Sequence, residues 1–257
     1  MESSNLREFI LRSLEEDIGD GDHSSLACIP REAEGKARLL IKGKGILAGC
    51  RVALEVFRLV DSGLVVELLI KDGSPINPGD IAFIVAGRKQ SILKSERLVL
   101  NIMQRMSGIA TSTREYSDRL AGLKAKILDT RKTTPGMRFL EKEAVRIGGG
   151  VNHRMGLYDM IMLKDNHIDY AGGIEEAIRK TAEYLKRTGK KLKVEIEART
   201  PGDVRRIIEA GGVDRIMLDN FNPENTKAAV EMINGRFETE SSGGITLMAA
   251  GLHPELF

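Results

Sequence analysis

Acidic and basic side chains recur at matched places in the second half of the chain. Asp129-Thr-Arg-Lys132, Lys164-Asp-Asn-His167, Glu195-Ile-Glu197, Asp219-Asn220 and Glu240-Ser-Ser-Gly-Gly244 each close an apolar run. Arg131, Lys132, His153, Arg154 and Lys164 lie at or just after such runs, and Arg105 sits on the helical pattern that precedes them. A set that mixes Arg with Lys suits a polyanion, because Arg grips carboxylate or phosphate through two parallel N–H bonds and Lys acts as a point charge. The carboxylates of Glu197 and Asp219 suit the opposite task, holding a metal ion or stabilising positive charge that develops during reaction. Gly148-Gly-Gly150 and Ser242-Gly-Gly244 offer bare backbone amides. The second stands before a predicted helix start, where amides and dipole favour phosphate. Either glycine run taken alone reads as an ordinary turn.

These residues need a frame that gathers them. From about residue 125 onward the chain repeats strand, polar loop, helix. Apolar runs occur at Ala125–Leu128, Met160–Leu163, Leu192–Ile196, Ile216–Leu218 and around Phe237, with helical patterns at 174–187, 201–210 and 223–233. Such alternation predicts an α/β fold with parallel strands and crossover helices, either a barrel or an open sheet. In a βα barrel the C-terminal strand ends converge on one mouth, where chemistry sits. Period-two alternation puts Lys193, Glu195 and Glu197 on one face and Val194 and Ile196 on the other. The same spacing aligns Met217 with Asp219, Met162 with Lys164, and Glu238 with Glu240 and Ser242. Carboxylates turned inward need partners or a ligand; a solvated strand face is the alternative.

The first third reads differently. Leu6, Phe9, Ile10 and Leu14 predict a helix over 6–17, broken by Gly19-Asp-Gly-Asp22. Short β-like runs follow at 36–42, 64–70 and 81–86, separated by turns such as Asn77-Pro-Gly-Asp80. An amphipathic stretch from Ser91 to Leu120, with Leu98, Ile102, Met106 and Ile109 in step, is predicted to hold two helices.

Composition excludes several classes. The 39 basic and 37 acidic residues nearly cancel, which argues against a nucleic-acid or membrane partner and puts anion recognition in local clusters. Tryptophan is absent and aromatics make up 4% of the chain, too few for a base-stacking platform. The N-terminus does not read as a signal peptide, and no run of about eighteen apolar residues predicts a membrane span. Cys28 and Cys50 lack metal-ligand spacing, and a reduced, cytoplasmic setting is expected. His23 and His253 fall outside the charged segments and read as structural.

Several segments together resemble the quinolinate phosphoribosyltransferases. Asp129-Thr-Arg-Lys-Thr-Thr-Pro-Gly136, Gly148-Gly-Gly-Val-Asn-His-Arg-Met-Gly-Leu157, Leu163-Lys-Asp-Asn-His-Ile168 and Leu218-Asp-Asn220 are similar to that family's signatures in order and spacing. Glu16-Asp-Ile-Gly-Asp-Gly-Asp22, Ile46-Leu-Ala-Gly49 and Gln104-Arg-Met-Ser-Gly-Ile-Ala-Thr111 resemble its N-terminal half. The resemblance implies an N-terminal α/β sandwich-like domain over 1–104 and an incomplete, seven-stranded TIM-like βα barrel over 105–257, working as a homodimer. It implies transfer of phosphoribosyl from phosphoribosyl pyrophosphate to quinolinate with decarboxylation, in the presence of magnesium (Mg2+). On matching positions, Arg131, His153 and Arg154 would hold the quinolinate carboxylates, with Arg105 reaching in from the neighbouring subunit. Lys132 and Lys164 would contact anionic substrate groups. Glu197 and Asp219 would face the ribose and the magnesium pyrophosphate, and Ser242, Gly243 and Gly244 would bind the 5′-phosphate. His167 and Asp165 would orient Lys164.

The end of the chain departs from this pattern. After Gly244-Ile-Thr-Leu247 the family continues through a further helix and strand, whereas Met248–Phe257 offers no counterpart. The expectation is a barrel apparently truncated beside Ser242. Two further readings are a relative acting on another heteroaromatic acid and a non-catalytic anion-binding member.

Overall fold

The computed structural model describes residues 3–246. His253 and the segment Met248–Phe257, on which the truncation expectation falls, lie outside the described residues. The chain forms two compact units. One comprises the chain up to Ser117 with Ile127–Asn152; the other comprises Asp118–Lys126 with the chain from His153 onward.

The first unit contains α1 (Ser3–Ile18), α2 (His23–Cys28), β1 (Glu34–Leu40), β2 (Gly45–Ile46), α3 (Cys50–Val60), β3 (Val65–Leu68), β4 (Pro75–Ile76), β5 (Ile81–Arg88), α4 (Lys89–Arg119) and α5 (Arg138–Gly148). An antiparallel sheet runs in the order β1-β5-β3, and β2 pairs with β4. Leu6, Ile10 and Leu14 recur every four residues on α1 and are buried, as the helical pattern predicts. Val52, Val56 and Phe57 of α3 join the same core as Phe83 and Val85 of β5, with the Phe57 and Phe83 rings edge to face at 5.6 Å. Each such side chain contributes about 1.5–3 kcal/mol on burial.

The stretch predicted as two helices is one. α4 has 31 residues. Its buried positions Ile92, Ser95, Val99, Ile102, Met106, Ala110 and Thr113 step by three or four without a slip, and no proline interrupts them. The strand predicted at Ala125–Leu128 is reduced to one parallel rung between Leu128 and Val151. The first glycine run also departs from its suggested role. The Gly149 amide donates to the Arg146 carbonyl and that of Gly150 to the Val145 carbonyl, so both are spent ending α5 rather than held out for an anion. Gly148 is required for a different reason, since a Cβ there would lie 2.5 Å from the Ala110 carbonyl oxygen of α4.

The second unit repeats strand and helix: β6 (Ile161–Leu163), α6 (Asp165–Ala171), α7 (Ile174–Thr188), β7 (Val194–Ala198), α8 (Pro201–Ala210), β8 (Arg215–Asp219), α9 (Pro223–Ile233) and β9 (Glu238–Ser242). The strands are parallel in the order β6-β7-β8-β9. Local chemistry starts the helices that follow β7 and β8. Thr200 Oγ1 accepts from the Asp203 amide at 3.1 Å while Asp203 accepts from the Thr200 amide at 3.0 Å, and Asn222 accepts from Asn225 at 2.8 Å. Pro201 and Pro223 then occupy the first turns. Every residue of β7 is buried, with Val194 and Ile196 in one core with Val204 and Ile207 of α8 and Ile174 and Ile178 of α7. Among the described residues no helix is long and apolar enough to cross a membrane.

Candidate active site

On the parallel sheet the charged residues fall into tiers set by register. Met162, Glu195, Arg215 and Glu238 are successive neighbours across β6 to β9; Glu197, Met217 and Glu240 follow two residues along, and Asp219 pairs with Ser242 beyond them. Alternation keeps these positions on one face, as the sequence pattern predicts. Lys193 precedes β7, and its ammonium pairs with Glu238 of that face at 3.0 Å.

The tier nearest the strand ends carries the predicted catalytic groups. Lys164 Nζ lies 3.4 Å from Glu197 Oε2. Burial pushes the Glu197 carboxyl up; Lys164 opposes the shift, and the charges of Asp219 and Asp165 add to it. The Lys164 amide donates to His167 Nδ1 at 3.0 Å, which ties the base of the lysine to the first turn of α6. Asp165 accepts from the Asn166 amide at 2.7 Å. Asn220, in the left-handed region at φ 55, links the ends of β8 and β9. Its amide donates to the Ser242 carbonyl at 2.7 Å, and its Nδ2 donates to Asp219 Oδ2 at 2.8 Å. Gly243 is also left-handed, at φ 84, and a Cβ there would lie 2.1 Å from Asn220 Oδ1. The bare backbone at Gly243 is therefore imposed by Asn220.

Deeper in the sheet, His153 Nε2 contacts Glu195 Oε2 at 2.8 Å and Glu240 Oε2 at 3.3 Å. The His153 side chain is 6% exposed and that of Glu195 is fully buried. Arg215 Nη1 reaches Glu240 Oε2 at 3.2 Å and Glu195 Oε2 at 3.6 Å, while its other nitrogens bond Glu238. Glu195 and then Glu240 raise the imidazole to about 9 against the effect of burial. Burial also pushes Glu195 up. At Glu240 burial acts the same way, but His153 and Arg215 outweigh it and hold that carboxyl down. His153, Glu195 and Glu240 have metal-ligand chemistry with donor atoms within 4.8 Å. Arg215 already supplies a fixed cation there. Arg154 lies next to His153, with its guanidinium 3.4 Å from both the Met160 carbonyl and Met162 Sδ.

Arg105, Arg131 and Lys132 belong to the first unit. Arg105 on α4 bonds Glu141 of α5 at 2.9 and 2.7 Å and Thr134 Oγ1 at 3.0 Å. Burial raises the Glu141 carboxyl, but Arg105 and Thr134 outweigh it and hold the group below the usual range. Glu141 also accepts from the Thr134 amide at 3.2 Å, which pins the loop after Lys132. Lys142, 1% exposed, pairs with Asp129 at the start of that loop. Arg131 is half-buried and its Nε–H is buried without a hydrogen-bond partner among the described residues. An orphaned guanidinium donor of this kind suits an incoming carboxylate or phosphate. Lys132 is exposed, its amide donating to Thr130 Oγ1 at 3.0 Å. Beside Arg105, a cavity of about 480 Å³ runs along α4, lined by Gln104, Gly108, Tyr116, Leu128 and Val145 among others.

Glu141, Lys142, Arg215 and Asn220 were not predicted as site residues. Arg215 carried a usable signal, since it stands two residues before Met217 on the same strand face. Lys142 carried none, because its partner Asp129 lies on a loop outside the helix.

Residues 22–107 match the quinolinate phosphoribosyl transferase N-terminal domain, and residues 109–251 match the C-terminal domain of the same family. The chain belongs to the quinolinate phosphoribosyltransferase family. It is 45% identical over 258 residues to quinolinate phosphoribosyltransferase [decarboxylating] 2, mitochondrial, of Nicotiana glauca, spanning 95% of this chain and 73% of the relative. It is 42% identical to the probable nicotinate-nucleotide pyrophosphorylase [carboxylating] of Bacillus subtilis, over 96% of this chain and 84% of that protein. The crystal structure of NadC from Streptococcus pyogenes superposes with a TM-score of 0.92 at 36% identity, covering 98% of this chain and 88% of that one. These family relations carry the fold class: an α/β protein with an N-terminal sheet domain and a βα domain of barrel type.

Proposed function

We infer that this chain is a pentosyltransferase of NAD biosynthesis that joins quinolinate to phosphoribosyl pyrophosphate and releases pyrophosphate and carbon dioxide. The observation that carries this reading is family membership along nearly the whole chain, with the family's motif residues at the C-terminal ends of β6 to β9. Both substrates are polyanions, which suits the Arg, Lys and His of the family motifs.

The roles are those that the family motifs imply, and the charge of each side chain supports them. Arg131, with its orphaned Nε–H, and Arg154 beside His153 receive the quinolinate carboxylates. Lys132 and Lys164 meet the anionic groups of the donor. Ser242, Gly243 and Gly244 supply a hydroxyl and backbone amides to the 5′-phosphate. Glu197 and Asp219 face the ribose, where their charge stabilises the cation developing at the anomeric carbon. The pyridine nitrogen bonds to that carbon as the bond to pyrophosphate breaks. The carboxylate on the carbon next to that nitrogen then leaves as carbon dioxide, its bonding electrons stay on that carbon beside the cationic nitrogen, and the carbon takes up a proton. No side-chain nucleophile is required.

Glu197 and Asp219 also fit a magnesium ion. Glu197 and Asp219 stand at the C-terminal ends of β7 and β8, with Lys164 3.4 Å from Glu197 as its paired cation; burial, and to a lesser degree the charge of Asp219, push the Glu197 carboxyl up. Bound magnesium would neutralise part of the pyrophosphate charge. We place the protein in a reducing, cytoplasmic setting, consistent with free Cys28 and Cys50, and read the working form as a homodimer to which Arg105 contributes across subunits.

The test is paired. Calorimetry with quinolinate should show binding, and adding phosphoribosyl pyrophosphate with magnesium should release pyrophosphate and nicotinate mononucleotide. Arg131→Ala and Lys132→Ala should each lose about a hundredfold or more in turnover while remaining folded. Binding without pyrophosphate release would instead identify an anion-binding protein, and near-wild-type kinetics in both variants would sink the site assignment.

A further inference from the structure

The tier below the mouth has no assigned task, although it is the most deeply buried charged group of the second unit. Its members come from separate strands: Glu195 from β7, Arg215 from β8 and Glu240 from β9, converging on His153. Buried carboxylates are costly unless paired. The two here face the Arg215 guanidinium and His153, so with both carboxylates ionised the set is neutral when the ring is cationic. Stability alone does not account for it, because apolar side chains would fill the same space without desolvating charge.

The set does determine where one corner of the site lies. Both carboxylates approach the same ring nitrogen, Nε2, from different strands and so fix the plane and direction of the imidazole. On the far side of the ring the Arg154 amide lies 2.8 Å from Nδ1. The ring position therefore sets the start of the 154–160 segment, along which the Arg154 guanidinium is laid against Met160 and Met162.

We propose that Glu195, Glu240 and Arg215 are positioning residues, a buried floor that seats the His153–Arg154 corner to receive an aromatic dicarboxylate. The ligand identity rests on the function inferred above; the floor itself does not. Two forces compete at the ring. The Arg154 amide favours a lone pair on Nδ1, whereas the carboxylates favour the imidazolium. The one Nε2–H is shared between the two carboxylates, and their negative charges facing it from two strands favour the imidazolium over the neutral ring, so His153 is assigned as the cation at neutral pH. Among the described residues, Glu195 and Glu240 face the ring nitrogen, with Arg215 paired with both carboxylates and Arg154 adjoining in sequence.

Labelling the histidines with nitrogen-15 tests this on the intact protein. The chain has 4 His, so His153 can be assigned from the spectrum of a His153→Asn variant. Wild-type His153 should remain doubly protonated through neutral pH. Glu195→Gln and Glu240→Gln should each lower its titration midpoint, and should raise the quinolinate KM about tenfold or more with kcat little changed. A wild-type His153 that titrates near the ordinary imidazole value overturns the proposal, and so does a quinolinate KM unmoved in both Gln variants. The spectrum needs no substrate. If wild-type protein fails to turn over quinolinate, the function inferred above falls while the floor is still judged by the ring.

Discussion

Lys142 on α5 is sealed from water against Asp129, two residues before Arg131. The pair fixes the start of the loop that carries Arg131 and Lys132, while Glu141, the adjacent residue on α5, fixes its later part through Thr134. A buried ion pair adds little net stability, but removing one partner strands the other's charge. Lys142→Met should therefore cost about 3–5 kcal/mol in urea unfolding. Adding Asp129→Leu to that variant should recover much of the loss. If Lys142→Met alone unfolds like wild type, the pair does not hold the loop.

The close approach of Gly243 to Asn220 gives a second prediction. Gly243→Ala places a Cβ against Asn220 Oδ1 at a positive φ, so the backbone or Asn220 must move. Either movement disturbs the 5′-phosphate cradle and the Asp219 carboxylate together. KM for phosphoribosyl pyrophosphate should rise about tenfold, and Asn220→Gly in the same chain should relieve part of the increase. Steady-state kinetics varying only the ribosyl donor would measure this, and an unchanged KM in Gly243→Ala would count against it.

The pH dependence of stability has a defined sign at His153. Its folded value of about 9 lies above the ordinary 6.5, so the folded state binds the proton more tightly than the unfolded chain. The stabilisation is complete below the unfolded value and is lost as pH rises through about 9. Unfolding free energies of wild type and His153→Gln should differ most near pH 6 and converge above pH 9. A gap that widens with rising pH would contradict the imidazolium assignment.

Arg105 gives a prediction about assembly. Within its own chain it bonds Glu141 and Thr134, yet about half of its side chain is exposed, which leaves donors for a ligand of a second subunit. Mixing Arg105→Ala with Lys164→Ala subunits should return activity, up to about a quarter of wild type for random pairing in a two-fold dimer. Activity that stays at the level of the parents would confine Arg105 to its own chain.

The βα region was legible because its patterns are local. In Val194-Glu-Ile-Glu197 the alternation of apolar and acidic residues reports which side chains face the core, and the observed register agrees. Thr200-Pro201 and Asn222-Pro223 likewise mark helix starts by short-range hydrogen bonding. Contacts distant in sequence left no such trace. Arg105 and Glu141 are 36 residues apart, and His153 and Glu195 are 42 apart. The single rung at Leu128 shows the same limit from the other side, because an apolar run does not state how many partners it finds. The continuity of α4 was hidden by Gly108, whose local cost is offset by tertiary packing along an unbroken buried stripe.

The two faces of β7 have a practical consequence for altering this protein. Val194 and Ile196 answer to the outer helices, whereas Glu195 and Glu197 answer to charges on the opposite side. Residue parity thus separates two experiments on one strand. Substitutions at even numbers act through side-chain volume in the core, and those at odd numbers act through the charge network behind the mouth. A library that varies one parity and leaves the other untouched would read out packing and charge separately.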